Sequence, residues 1–294
     1  MSSRFRQSMA PAFSSRQVKS DEPQVVSSGT LTCLRFSASA MQSAMFTDTP
    51  NDLVLGYTRT MMGFLLFNVA PARIGMIGLG GGSLAKYCRQ HLPASQFLAV
   101  ESNAKVIALR ELFHIPPDDQ KFQVIHANGE DWVRERATQV DVLLLDGYSI
   151  SGIPVELSEQ GFYDSCQAKL ADDGILVANF SADDPKSGIY AQRLRASFDG
   201  QAVSIEAADL CNRIMFAFKG QGFASLHKVM AQRALAIRRK LGIDFQDVAA
   251  RLQERLLQQC RNGDELVDEG DDDEVAPRIV ARNTPSQRSR RRAT

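Results

Sequence analysis

Long apolar runs, paired cysteines and metal-binding spacings are all missing from this chain of 294 residues. No stretch of 18 consecutive apolar residues occurs, which excludes a conventional membrane-spanning helix. The five cysteines (Cys33, Cys88, Cys166, Cys211 and Cys260) are odd in number, lie far apart and form no Cys-x-x-Cys pair. That predicts reduced thiols rather than a disulfide framework or a structural zinc site. The four histidines, His91, His114, His126 and His227, show no His-Glu-x-x-His spacing, so no catalytic metal is expected. Arg4, Arg6, Arg16 and Lys19 precede no apolar stretch of the kind a secretory signal needs. Asp21, Glu22 and the lack of an amphipathic stripe argue against an organelle-targeting segment, so a cytoplasmic location is expected. Charge of one sign is also missing. Lys+Arg number 34 and Asp+Glu 34, a net charge of zero, which argues against a nucleic-acid partner. No internal repeats are visible.

What is present is an ordinary globular composition, 44% apolar and 23% charged. The length is ample for a core without staples. Residues 1–28 are rich in Ser, Gln and Arg without periodicity and predict a loose tail. Residues 29–70 predict a small N-terminal β element, with β-type runs over 30–36 and 52–58, followed by a buried helix over 58–68 that ends before Pro71. Residues 71–222 alternate apolar strands and helices. Strands are expected over 73–78, 97–101, 122–126, 141–146 and 174–179. Helices are expected over 83–91, 104–113, 130–137 and 160–170. Continuous apolar strands separated by helices predict a doubly wound, mostly parallel α/β sheet. Two later runs, 202–206 and 214–219, predict an antiparallel pair at its edge. Residues 223–261 predict two helices divided near Gly242 and Asp244. Residues 262–294 hold eight acids between Asp264 and Glu274, then Arg278, Arg282, Arg288, Arg290, Arg291 and Arg292. They predict a solvated tail whose acids compete with any nucleic-acid contact of the arginines.

The sharpest feature is Ile77-Gly78-Leu79-Gly80-Gly81-Gly82-Ser83, between a predicted strand and a predicted helix. Glycines there let the backbone approach a ligand that a Cβ would hold off. Glu101 follows 19 residues after Gly82, at the end of the next strand, where a carboxylate can accept bonds from both ribose hydroxyls. Asn128 and Gly129 follow the third strand, and an amide there can bond an adenine edge. Asp146-Gly147-Tyr148-Ser149 follows the fourth. Consecutive strand ends thus present polar groups to one crevice, the usual ligand position in open α/β sheets. The loop lacks the Lys-Ser/Thr pair of a triphosphate site, and the order suits an S-adenosyl-type nucleoside. Asp146 is the one evident base on the crevice rim; its structural alternative is a cap for the following turn.

These residues, together with Gln42-Ser43-Ala44-Met45, Tyr57-Thr58 and the gapless stretch from Asp146 to Tyr163, resemble the spermidine synthase family of aminopropyltransferases. The resemblance covers about residues 30–220 and implies a methyltransferase-like Rossmann fold, a homodimer and a small-molecule amine acceptor. The implied co-substrate is decarboxylated S-adenosylmethionine, or S-adenosylmethionine itself. It implies that Gly78, Gly80, Gly81 and Gly82 hold the donor's side chain, that Glu101 binds ribose, and that Asn128 with Gly129 meets adenine. Gln42 would lie on the donor side, Tyr57 near the attacking amine, and Asp146 would deprotonate and orient that amine. Three positions depart from the family pattern: its loop Asp is Gly81 here, the second Asp of Asp-x-x-Asp-Pro is Ser149 with Ile150 for the Pro, and a glutamine is Thr58. A buried ammonium without a carboxylate costs several kcal/mol, so weak putrescine binding is expected unless Glu156 or Glu159 compensates. Two further readings stand beside aminopropyl transfer. One is an S-adenosylmethionine-dependent methyltransferase, favoured by the missing loop Asp. The other is a non-catalytic nucleoside-binding protein.

Overall fold

The computed structural model describes residues 22–36, 41–135, 137–149, 152–208 and 211–268, with side chains to residue 261. Three antiparallel strands come first: β1 (Gln24–Ser28), β2 (Leu31–Arg35) and β3 (Met41–Phe46), in spatial order β1-β2-β3. Strand β1 lies inside the stretch expected to be a loose tail. Its cross-strand partners make the difference, from Gln24 opposite Arg35 to Ser28 opposite Leu31. The expected strand over 52–58 is also corrected. Leu53, Val54 and Leu55 are buried but pair with no strand, and α1 (Gly56–Met61) begins there. The third place in the small sheet goes to β3, whose residues pair with β2. A 3₁₀ turn over Met62–Leu66 follows α1 and is buried throughout.

The main sheet is built from β4 (Arg73–Ile77), β5 (Gln96–Glu101), β6 (Phe122–His126), β7 (Val140–Leu145), β8 (Leu170–Ser181), β9 (Ala202–Glu206) and β10 (Asn212–Lys219). Their spatial order is β6-β5-β4-β7-β8-β10-β9. The first five are parallel, and β10 pairs antiparallel with both β8 and β9. This is the expected doubly wound sheet with its antiparallel edge. The chain order reverses at β4, whose neighbours are β5 and β7, so a crevice opens at their carboxyl ends.

Helices cover both faces: α2 (Ser83–His91), α3 (Ala104–Ile107), α4 (Gly129–Arg134), α5 (Gln160–Lys169) and α6 (Ser187–Ser197). Helix α3 is much shorter than the predicted 104–113. The chain beyond it tightens into turns with three-residue hydrogen bonds, such as Leu109 N–H to Val106 O. His114 takes the left-handed conformation at φ 54°, and the bend carries Phe113 and Ile115 beneath the glycine loop. Two long helices close the structure, α7 (Met230–Leu241) and α8 (Gln246–Asp268). Gly242 separates them at φ 69°, as a glycine past a helix end does. Helix α8 buries Val248, Ala249, Leu252 and Leu256, one helical stripe worth about 1.5–3 kcal/mol for each large side chain. It runs to Asp268, into the predicted acidic tail; residues 269–294 lie outside the described residues. No helix among the described residues is long and apolar enough to cross a membrane.

Candidate functional site

A cavity of about 900 Å³ opens at the carboxyl ends of β4, β5, β6 and β7 and is roofed by β3 and α1. Gln42, Tyr57, Gly78, Gly80, Glu101, Asn128, Gly129 and Asp146 all line it. Gly81 and Gly82 do not line it and sit on the far side of the loop.

Gly78 has φ 90°, and a Cβ there would lie 2.3 Å from the Asp146 carbonyl oxygen. Only glycine lets β4 and β7 leave the sheet this close together. Gly81 is required for another reason: its Cβ would lie 2.9 Å from both Phe113 Cδ1 and Ser43 Cβ. Its N–H donates to Ser43 Oγ at 2.9 Å. The loop therefore takes an acid at residue 81 only if Ser43 and Phe113 shift.

Glu101 accepts from Leu79 N–H through Oε2 and from Asn103 N–H through Oε1, both at 2.9 Å. These bonds fix the carboxylate between the glycine loop and the start of α3. Each oxygen keeps a lone pair for a hydroxyl in the cavity. Asn128 Oδ1 accepts from Glu130 N–H at 2.7 Å and caps α4. Because that partner is a donor, the amide nitrogen is the atom left for a base. His126 meets Ser102 O at 3.1 Å on the cavity rim, while Lys105 and Glu22 form an ion pair there.

The other half of the cavity centres on Asp146. Tyr57 O–H donates to Asp146 Oδ2 at 3.1 Å and lies 3.3 Å from Gln42 O. Asn179 Nδ2 donates to Asp146 Oδ1 at 2.8 Å, and Asn212 Nδ2 donates to Asn179 Oδ1 at 2.8 Å. Burial pushes the Asp146 pKa up to about 6, against the pull of the bonds from Asn179 and Tyr57. The result is a carboxylate with a proton affinity suited to moving protons near neutral pH. Tyr148 donates its hydroxyl to Asn179 O at 2.9 Å and accepts from Ser181 N–H at 2.7 Å. It buttresses β8 behind Asp146.

Sequence reasoning missed Asn179 and Asn212, since single asparagines inside apolar strands carry no motif. The register of β8 against β10, with Asn179 opposite Ile214, brings them together. Ser43 was noticed only as part of a motif. Of the substituted positions, Ser149 lines the cavity but spends its hydroxyl on Gly152 O at 2.9 Å. Thr58 is buried and donates to Leu55 O at 2.7 Å. Glu156 lines the cavity at its rim and Glu159 does not. Among the described residues no group of three His, Cys, Asp or Glu gathers as a metal site.

No model of a protein family matches the chain. A polyamine aminopropyltransferase from Chromobacterium violaceum is 32% identical over 251 residues, covering 85% of this chain and 95% of that protein. Another, from Neisseria meningitidis, is 35% identical over 242 residues, covering 81% and 92%. Among solved structures, a spermidine synthase in complex with the transition-state analogue AdoDATO superposes with a TM-score of 0.59 at 16% identity, covering 86% of this chain and 87% of that one. Human methyltransferase-like protein 13 in complex with SAH gives a TM-score of 0.56 at 22% identity, covering 64% and 93%. At those identities the superpositions speak to the fold, which both share.

Proposed function

The chain belongs to the polyamine aminopropyltransferase family, and on that premise we propose that it transfers an aminopropyl group from decarboxylated S-adenosylmethionine to a small amine. The observation that carries this reading is the half-buried Asp146, with a pKa pushed up to about 6 and two fixed donors, lining a nucleoside-sized cavity. Glu101 binds the ribose hydroxyls, and Asn128 with Gly129 meets the adenine edge. Gly78 and Gly80 let the donor's chain lie against the backbone, and Gln42 closes the donor side. Gly81 and Gly82 act behind the loop by packing.

The chemistry is an in-line displacement. A neutral amine nitrogen attacks the methylene carbon bonded to the sulfonium. The carbon–sulfur bond breaks, its electron pair stays on sulfur, and methylthioadenosine leaves. Asp146, ionised at neutral pH, takes a proton from the acceptor's ammonium and so leaves the neutral amine that attacks, while Tyr57 holds the carboxylate in line. Ser149 and Thr58 donate their hydroxyls to backbone carbonyls and bring no charge, so among the described residues the acceptor's second charge meets only the rim carboxylate of Glu156. Putrescine is therefore weakly held, and an acceptor without a deeply placed second ammonium is preferred.

The bare loop at Gly81 favours a second reading, methyl transfer from S-adenosylmethionine. One experiment separates the two. The protein is incubated with each donor and a panel of amines, and the nucleoside product is identified. Methylthioadenosine from the decarboxylated donor is expected. S-adenosylhomocysteine from S-adenosylmethionine, with no methylthioadenosine from either donor, would replace this reading with the methyltransferase. Family membership also supports a cytoplasmic homodimer, which sedimentation of the purified chain tests.

A further inference from the structure

Among the described residues, the glycine-loop end of the cavity carries no carboxylate of its own, and Glu101 reaches the loop only through Leu79 N–H. The acids lining the cavity are Glu22, Glu101, Asp146 and Glu156. Glu22 is paired with Lys105, and Glu101 is bound to two backbone N–H groups beside the ribose position. Asp146 faces Tyr57 and Asn179, and Glu156 is exposed at the rim. At the glycine loop the lining groups are Gly78, Gly80 and the Ser43 side chain. Ser43 Oγ accepts the Gly81 N–H, so its own proton is free to be donated.

Behind the loop lies a buried amine whose pKa burial lowers to about 8, which leaves it a cation at neutral pH. Lys86, in the first turn of α2, is 2% exposed and donates to Phe113 O at 2.6 Å and towards Met45 Sδ at 3.0 Å. Both partners are neutral, and they belong to the same two segments that enclose Gly81. The amino terminus of α2 adds its own dipole to this end.

An aminopropyl ammonium placed here has no carboxylate dedicated to it, since Glu101 and Asp146 are engaged elsewhere, and an unpaired buried ammonium is strongly disfavoured. S-adenosylmethionine differs from the decarboxylated donor only by a carboxylate on the carbon that bears the amine. It brings the counter-charge with it, and the field at this end favours that carboxylate rather than rejecting it. The geometry points to a further activity that rests on the displacement described above: the site accepts S-adenosylmethionine as a donor and transfers its aminocarboxypropyl group to an amine. The bonds are the same as before. The amine nitrogen attacks the methylene carbon next to the sulfonium, and the carbon–sulfur bond breaks with its electron pair retained by sulfur. Methylthioadenosine leaves, and the proton passes through Asp146. Only the group delivered changes, to one ending in an amino acid.

Calorimetric titration of the full chain with each donor, followed by turnover with putrescine and with butylamine, tests this. S-adenosylmethionine should bind within about tenfold of the decarboxylated donor or tighter. It should also release methylthioadenosine with an amine product heavier by one carboxylate. A carboxylate beside the loop should reverse the preference. Ser43→Asp should lower the affinity ratio of S-adenosylmethionine to its decarboxylated form by at least about tenfold, and retained binding of the decarboxylated donor shows that this variant is folded. Binding of S-adenosylmethionine more than about a hundredfold weaker, with methylthioadenosine formed from the decarboxylated donor alone, overturns this inference and leaves aminopropyl transfer standing. S-adenosylhomocysteine as the sole product, or methylthioadenosine from neither donor, overturns both.

Discussion

The two halves of the cavity are built on different plans. In the nucleoside half each functional group is fixed by backbone N–H groups: Asn128 caps the helix it precedes, and Glu101 bonds Asn103 N–H just ahead of it and Leu79 N–H in the loop of the adjacent strand. In the amine half, Tyr57 comes from α1, Gln42 from β3, Asp146 from the end of β7, Asn179 from β8 and Asn212 from β10. The first half is a set of local strand–turn–helix units, and the second is a relay across five elements. A local unit loses only its own contact when damaged. A relay passes the damage on, because each member orients the next.

The largest test of this contrast is Asp146→Asn. It should lower turnover by about 10²–10⁴-fold while donor affinity stays near wild type, since the nucleoside half is untouched. Donor affinity lost in parallel would mean that the halves are not independent. Next is Glu101→Ala. Two backbone N–H groups lose a charged acceptor and the ribose loses its partner, so donor binding should weaken by about 10²-fold. Calorimetry reads the change, and turnover at saturating donor should fall far less.

A smaller effect is expected in the pH profile. Asp146 must be ionised to take a proton, and its pKa is held up at about 6 by burial. Turnover should therefore decline as pH falls through about 6. The Tyr57 bond favours the charged form, so Tyr57→Phe should raise that pKa and move the acid limb to higher pH. An unmoved limb would remove Asp146 from the proton path. Asn212→Leu should act in the same direction and least of all, because it reaches Asp146 only through Asn179.

The same contrast decides what could be read in advance. The sheet, its edge pair and the glycine loop were legible because apolar runs, glycines and strand-end acids recur at short spacings. Glu101 and Asn128 belong to that local grammar. The relay was legible only at Asp146, and through resemblance at Tyr57 and Gln42. Nothing near Asn179 or Asn212 in the chain marks them as polar partners, and their meeting depends on the β8–β10 register. The misplaced strand at 52–58 has a related cause. Leu53, Val54 and Leu55 are buried against the body of the protein without a strand beside them, and burial without pairing leaves the same apolar signature. The β1 strand was hidden for the opposite reason, since half-exposed Gln24–Ser28 gains its identity from β2.

The crowding around Gly81 has a consequence for the whole loop. A substitution that put an acid into this loop would meet Ser43 from β3 and Phe113 from the bend after α3 at 2.9 Å each. Phe113 is in turn tied to Lys86 on α2. Room for an acid there opens only if these parts of the chain retreat together. Gly81 thus works as a keystone: its lack of a side chain sets how closely β3, α2 and the bend after α3 can meet.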